Sequence, residues 1–367
     1  MFFEKVIAKV IQNATNNYTD NYDEFRFGPR TPVKNEFLAK KARKFLFSNR
    51  IHVDELNKYM GKLYSLSKYE GGLELMYQSL SDESSKEMLI DLMCYKILGE
   101  AKFKLRTNKP ENLLQLQEIE QLTDRKESID PRFMNTILHK YDLNPIGRNI
   151  RMFFSGPGIH SDFYLEQYRY NHEGKEIAAN EGDAVIDAGG CWGDTALYFA
   201  DRVGPKGKVY TFEFIPNNIN ILNKNFDLNP HLRERFQLVE RPLWNESHKK
   251  IYFKDMGPGS RISFEGFEGM EGSTETLTID DFVAQNNIEA VDLIKMDIEG
   301  AEENALEGAR AVIRRFKPKL AIAIYHSMEQ FVGIPKWILD LNLGYKIYLD
   351  HFTIHEEETM IYAVAND

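Results

Sequence analysis

The 367-residue chain has only two cysteines, Cys94 and Cys191, and no Cys or His pair at the spacing of a structural zinc site. A disulfide framework is excluded, and a reducing, cytoplasmic setting is expected. Cations are also scarce: 46 Lys and Arg stand against 56 Asp and Glu, a net charge of -10. Phosphate backbones are held by clustered cations, so no nucleic-acid partner is expected for the chain as a whole. The densest basic run, Lys40, Lys41, Arg43, Lys44 and Arg50, reads as a solvated helix face. Long apolar runs are missing too. Glu4, Lys5 and Lys9 interrupt the start at Phe2-Phe3, and nothing later approaches the roughly 20 residues that cross a bilayer, so no membrane span is expected.

What is present is a 43% hydrophobic chain, enough for two domains or one large domain with an extension. Residues 1–150 read as mainly helical. Ser84 and Glu87 form a Ser-x-x-Glu capping box, Met88, Leu89, Leu92, Met93 and Ile97 follow at helical spacing, and Gly99 closes the run. Leu113 to Leu122 reads as a second helix. From about residue 177, strand and helix alternate, as in a parallel sheet covered on both faces. Strands are expected at 184–188, 208–213, 236–244, 250–254, 291–297, 320–325 and 345–349, with 360–364 as an antiparallel last strand. Ala301 to Phe316 reads as one helix stopped by Pro318. The stretch holding Gly257, Gly259, Gly266, Gly269 and Gly272 reads as a long flexible loop, either a lid over substrate or a surface connection.

The most telling segment is Asp187-Ala-Gly-Gly-Cys-Trp-Gly-Asp-Thr195, entered through the apolar Ala184-Val-Ile. It predicts a buried strand breaking into a glycine turn and a helix whose N-terminal amides face a polar ligand. Gly189, Gly190 and Gly193 suit unusual dihedrals and a close backbone approach. No frame across 187–195 gives the dinucleotide spacing, which argues against an NAD-dependent oxidoreductase. The frame Asp187, Gly189, Gly193 resembles the Asp-x-Gly-x-Gly-x-Gly turn of class I S-adenosylmethionine-dependent methyltransferases, with Cys191 in place of the middle glycine. The next strand, Lys208-Val-Tyr-Thr-Phe, ends in Glu213, where an adenosine ribose would lie in either enzyme class. Phe214-Ile-Pro216 then opens another helix.

Ligands in open parallel sheets sit beyond the carboxyl ends of the strands, which singles out three further places. Asp297-Ile-Glu299-Gly300-Ala-Glu302 leaves a strand of Leu293, Ile294 and Met296. Its carboxylates could hold a divalent cation, act as a base or cap the following helix. His326 follows the apolar strand ending in Tyr325 and could deprotonate a hydroxyl. His351 ends the next strand and reads equally as structural or functional, whereas His355, among Glu356, Glu357 and Glu358, reads as a surface residue.

Taken together, Gly182–Thr195, Phe212-Glu213 with Pro216, Asp292–Glu302 and Tyr325-His326 resemble the FkbM-type methyltransferases over roughly residues 140–365. Phe163–Tyr168 and Leu80–Ser85 look like segments found ahead of the core in some members. The resemblance implies a Rossmann-like domain over 151–367 with a mostly parallel seven-stranded sheet, its last strand antiparallel. The helical region 1–150 would be accessory, binding the acceptor or mediating a homodimer. It also implies methyl transfer from S-adenosylmethionine to an oxygen nucleophile, such as a hydroxyl of a sugar, glycan or secondary metabolite. By position, Gly189 to Gly193 would cradle the methionine part, Glu213 would hold the ribose, and Pro242 and Leu243 would border adenine. Asp187 would anchor the turn, and Asp194 and Thr195 would meet the methionine ammonium and carboxylate. His326 is the first candidate base. Asp297 or Glu299 is the second, directly or through a divalent cation. A non-catalytic binding protein on the same scaffold is the other reading.

Overall fold

The computed structural model describes residues 1–27, 53–123, 125–133 and 136–365. The basic run 40–50 lies outside them. Ser128–Ile129 (β1), Leu138–Asp142 (β2) and Arg151–Phe154 (β3) form a small antiparallel sheet, and Tyr170–His172 (β4) and Lys175–Ile177 (β5) a hairpin. The expectation of a helical region up to 150 therefore holds only as far as about residue 119, after which the chain turns to these short antiparallel strands.

The central sheet comprises Ala184–Ala188 (β6), Lys208–Phe212 (β7), Phe236–Val239 (β8), Leu293–Met296 (β12), Lys319–Ala323 (β13), Tyr345–His351 (β14) and Thr359–Ala365 (β15). Its order is β14-β15-β13-β12-β6-β7-β8, and β15 alone runs antiparallel to its neighbours. Register aligns the ends: Ala188 lies beside Phe212 and Met296, and Met296 beside Ile322. Gly189, Glu213 and Asp297 are thus each one residue beyond a level rim. The chain builds outward from β6 in one direction through β7 and β8 and resumes on the other side at β12. The gap between β6 and β12 is the switch point where this topology opens a crevice.

Between β8 and β12, Lys250–Lys254 (β9), Arg261–Ser263 (β10) and Gly272–Glu275 (β11) make a separate antiparallel sheet with β9 in the middle. The expected glycine-rich loop therefore contains one short strand, Arg261–Ser263, and runs into a second at Gly272. Gly272 takes part because a Cβ there would lie 2.5 Å from the Phe253 ring. β9 belongs to this small sheet and not to the central sheet.

Both sheet faces are covered. On one, the helices Phe2–Asn13, Glu70–Ser79 and Glu83–Leu98 share a core with residues of β6, β12, β13 and β14, among them Leu73, Leu89, Ile294 and Ile347. Leu349 N donates to Ser85 Oγ at 2.9 Å, and Ser81 N to the Ile347 carbonyl at 3.0 Å. On the other face, the helices Asp194–Arg202 and Pro216–Asp227 pack with β2, β3 and the 155–168 segment.

Two helix boundaries differ from the sequence reading. Glu83–Leu98 is capped by Asp82, whose side chain accepts from Ser85 N, so the Ser84–Glu87 box is not the cap. Asp82 stands in extended backbone just ahead of the first turn, where its carboxylate meets the free Ser85 amide. Gly99 ends the helix at φ +78° as expected. The Ala301–Phe316 run is broken into Glu302–Glu307 and Arg310–Phe316 at Gly308, where a Cβ would come 2.2 Å from the Trp244 carbonyl oxygen.

Candidate active site

The rim residues face one cavity of about 1520 Å³. A pocket for one small molecule usually occupies about 300–1,000 Å³, so this volume admits two ligands side by side. Gly189, Cys191, Trp192, Glu213 and Leu243 line one part, and Asp297, Glu299, Tyr325 and His326 another.

The turn after β6 is held mainly by protein. Gly189 and Gly193 both have φ +87°, and Cys191, at the middle-glycine position, has φ +39°. That value is left-handed and strained for a residue with a Cβ, which explains why glycine suits the place. The glycines make room for neighbouring chain more than for a ligand. A Cβ on Gly189 would be 2.0 Å from the Asp297 carbonyl oxygen, and one on Gly190 2.1 Å from Thr211 Cγ2.

Asp187 is fully buried and fully engaged. Thr195 Oγ1 lies 3.0 and 2.9 Å from its two oxygens, Thr211 Oγ1 donates at 3.0 Å, and Lys295 Nζ is 3.1 Å away. These bonds join β6, β7, β12 and the helix after the turn, and they commit the Thr195 hydroxyl proton to Asp187. Lys295 also donates to the carbonyls of Ala188 and Gly189 at 3.2 and 2.7 Å. Burial works against its charge, but Asp187, Asp297 and Asp194 hold its pKa above the ordinary value. Sequence reading passed over Lys295. The signal was a lone lysine inside the apolar run Leu293–Met296.

Glu213 stands at the exit of β7, 7% exposed. Its Oε1 accepts from Phe214 N and Ile215 N at 2.6 and 2.8 Å, and its Oε2 from Asn218 at 3.1 Å. Burial pushes its carboxyl up to about 7 against those bonds. Trp192 Nε1 donates to Asn218 Oδ1 at 3.1 Å, which ties the glycine turn to the Glu213 exit. Pro242 and Leu243 also line the cavity, and the Pro242 carbonyl accepts from Leu277 N at 2.9 Å.

At the β12 and β13 exits, His326 Nε2 lies 3.6 Å from both Asp297 Oδ1 and Glu299 Oε2, and Nδ1 lies 3.4 Å from Glu302 Oε1. Neither ring nitrogen makes a hydrogen bond. The ring stacks beside Tyr325, with centroids 4.2 Å apart, and Tyr325 OH donates to Asp297 at 3.2 Å. Glu299 has φ +55° and is followed by Gly300 at +97°, a left-handed pair that turns the Glu299 carboxylate toward His326. Partial burial and the nearby Asp297 charge raise the Glu299 carboxyl above the usual range.

The helix Glu302–Glu307 receives no side-chain cap, and Glu302 instead pins the loop ahead of it. Its side chain is fully buried, and its Oε1 accepts from Ile298 N at 2.8 Å while Gln330 donates to Oε2 at 3.1 Å. Among the described residues, ligand atoms of Asp297, Glu302 and His326 lie within 4.8 Å of one another, a set in which Glu302 stands where Glu299 was expected.

The other histidines separate. His351 is buried with Nδ1 2.8 Å from Thr359 Oγ1, outside the cavity lining, and burial pushes its pKa down to about 3. His355, expected at the surface, is buried and lines the cavity with Nε2 3.5 Å from Asp23. The reason is that residues 19–27 fold back over it, which its acidic neighbours in sequence did not announce. Asp162, also missed, enters from the short π-helical turn His160–Tyr164.

No curated protein matches the chain. Among solved structures, the methyltransferase FkbM of Methylobacillus flagellatus KT superposes with a TM-score of 0.52 at 17% identity, covering 82% of this chain and 60% of that one. The chain thus spans about three fifths of that protein's length. Fibrillarin from Aeropyrum pernix, in complex with natively bound S-adenosyl-L-methionine, aligns at 16% identity over 65% of this chain and 99% of that chain, with a TM-score of 0.34. No helix among the described residues is long and apolar enough to cross a membrane. The family description matching residues 176–347 is the methyltransferase FkbM domain, and with the seven-stranded sheet and its rim of motif residues it places this segment of the chain in the FkbM methyltransferase family.

Proposed function

We propose that the protein is an S-adenosylmethionine-dependent O-methyltransferase acting on a hydroxyl of a sugar, glycan or secondary metabolite. The observation that carries the reading is the level rim: the Gly189–Gly193 turn, Glu213 and the Asp297–His326 cluster open into one cavity roomy enough for cofactor and acceptor. The donor set fits the cofactor. Glu213 offers a buried carboxyl at a β-strand exit for ribose hydroxyls, Pro242 and Leu243 offer an apolar edge for adenine, and Asp194 Oδ1 is a buried acceptor without a donor.

When bound, S-adenosylmethionine supplies an electrophilic sulfonium methyl group, so the protein has mainly to align the acceptor oxygen and remove its proton. His326 is suited to the second task because both ring nitrogens are free of hydrogen bonds. Nε2 takes the hydroxyl proton, and the resulting cation faces Asp297, Glu299 and Glu302 at 3.4–3.6 Å. Tyr325 keeps Asp297 turned toward that ring. A cation-assisted version rests on the Asp297, Glu302 and His326 set, and unchanged turnover after exhaustive chelation removes it.

His326→Ala should lower turnover by about 100-fold or more while S-adenosylmethionine affinity stays within error, since the imidazole serves the acceptor. Transfer of labelled methyl to a panel of hydroxylated acceptors, with calorimetry on the same variant, checks both halves. Loss of cofactor binding in this variant would refute the assignment. A non-catalytic scaffold protein would bind cofactor yet transfer no methyl group to any acceptor.

A further inference from the structure

Three carboxylates surround the His326 ring, and Glu302 is the most firmly held of them. Its Oε1 accepts from Ile298 N at 2.8 Å and Gly300 N at 3.4 Å, and its Oε2 accepts from Gln330 Nε2 at 3.1 Å. Gln330 is fixed in turn. The same amide nitrogen donates to the Gly300 carbonyl at 2.7 Å, and Gln330 N donates to Ser327 Oγ at 3.1 Å at the start of the helix Met328–Asp340. A fully buried carboxylate bound on both oxygens is thus presented to one edge of the imidazole, with Oε1 3.4 Å from Nδ1.

The ring itself has little freedom. It lies beside Tyr325 with centroids 4.2 Å apart, and both of its nitrogens are shielded from solvent without a hydrogen bond. A neutral imidazole carries its proton on one nitrogen only, and the acceptors that the two nitrogens face decide which. Nε2 faces Asp297 Oδ1 and Glu299 Oε2 at 3.6 Å, but the Glu299 side chain is 49% exposed and Asp297 is turned toward the Tyr325 hydroxyl. Nδ1 faces the nearer and more rigid partner. At 3.4 Å that contact is longer than a hydrogen bond, as catalytic pairs often are until substrate tightens them.

Resting on the His326 base reading above, we propose that Glu302 is the positioning residue for His326. It holds the ring proton on Nδ1 and so leaves Nε2 bare for the acceptor hydroxyl. When that hydroxyl gives its proton to Nε2, the Nδ1 proton stays in place and the ring becomes a cation. The new charge lies against the Glu302 carboxylate in a site shut off from water, where the attraction is stronger than in solvent. Glu302 touches neither acceptor nor cofactor in this role and acts through the ring, as the orienting member of a base pair does.

Glu302→Gln removes the charge and keeps the shape. Its amide oxygen can still accept from Ile298 N and Gly300 N, and the Gln330 Oε1, which has no donor, is available to the new amide group. The test is nitrogen NMR of the full chain carrying labelled histidine, at mildly alkaline pH where a free imidazole is neutral. The His326 signals are identified by their loss in His326→Ala. The wild-type ring should carry its proton on Nδ1, and Glu302→Gln should move it to Nε2 or to a mixture of the two. Calorimetric affinity of Glu302→Gln for S-adenosylmethionine should stay within error of wild type.

A wild-type ring protonated at Nε2, or at both nitrogens, overturns the inference, and that spectrum decides even where the variant fails to fold. An unchanged tautomer in folded Glu302→Gln, or loss of its S-adenosylmethionine binding, overturns it as well and leaves the His326 base reading standing. Full methyl transfer by His326→Ala overturns the base reading, and any catalytic use of Glu302 with it, whatever the tautomer.

Discussion

Glu213 and Lys295 are two of the buried ionisable side chains around the glycine turn, and only Glu213 was visible in the sequence. Glu213 stands out because it ends an alternating strand at a set distance from Gly193. Lys295 hides because three apolar neighbours make its strand read as uniformly buried, and nothing local says that Asp187 lies across from it on the next strand. Asp162 is hidden for a related reason, since it lies ahead of the motif residues and meets the cavity only through tertiary packing. Burial raises Glu213 from 4.5 to about 7, and the sign of its effect follows. The unfolded chain gives up this proton first as pH rises, so the stabilising contribution is complete below about 4.5 and is lost as pH passes through 7. Asp194, raised to about 6, acts in the same direction. The ligand-free protein should therefore melt at progressively lower temperature from pH 5 to pH 8, with Glu213 contributing on the order of 3 kcal/mol at most. Thermal melts of Glu213→Gln should show a flatter dependence between pH 5 and 7; an unchanged slope would mean that Glu213 does not titrate there.

At the scale of elements, the glycine turn and the β12 exit act as one piece. The Gly189 position meets the Asp297 carbonyl, and Asp297 N in turn donates to the Ala188 carbonyl at 3.1 Å. Gly189→Ala should thus move Asp297 as well as strain the turn, because its φ of +87° and the 2.0 Å approach both oppose a Cβ. A stability loss of about 2–4 kcal/mol is expected by denaturant titration, with cofactor binding weakened as well. Cys191→Gly, in contrast, relieves a left-handed residue and should be tolerated. The motif pattern foretold this turn and the parallel strands around it, since both follow from local periodicity and short connections. It did not foretell the break at Gly308 or the small sheet of β9, β10 and β11. Both depend on distant groups, the Trp244 carbonyl in one case and the Phe253 ring in the other, that no local window contains.

Across the whole molecule, the parallel sheet with an antiparallel β15 was legible from the alternation of apolar strands and amphipathic helices. How the N-terminal helices attach to it was not. They share one core with the sheet, through Leu73, Leu89, Ile347 and their neighbours, and their packing surface is buried by a strand more than 250 residues later in the chain. The segment 155–168 and residues 19–27 likewise close the cavity from sequence positions outside the matched domain. The family motifs therefore build the floor of the site, and flanking chain builds its walls. The central claim, that this cavity takes S-adenosylmethionine, is tested most directly by calorimetric titration of the full chain with S-adenosylmethionine and, in parallel, with NAD. The account predicts saturable binding of one S-adenosylmethionine per chain and no heat from NAD. Binding of NAD, or no binding of S-adenosylmethionine, would contradict it.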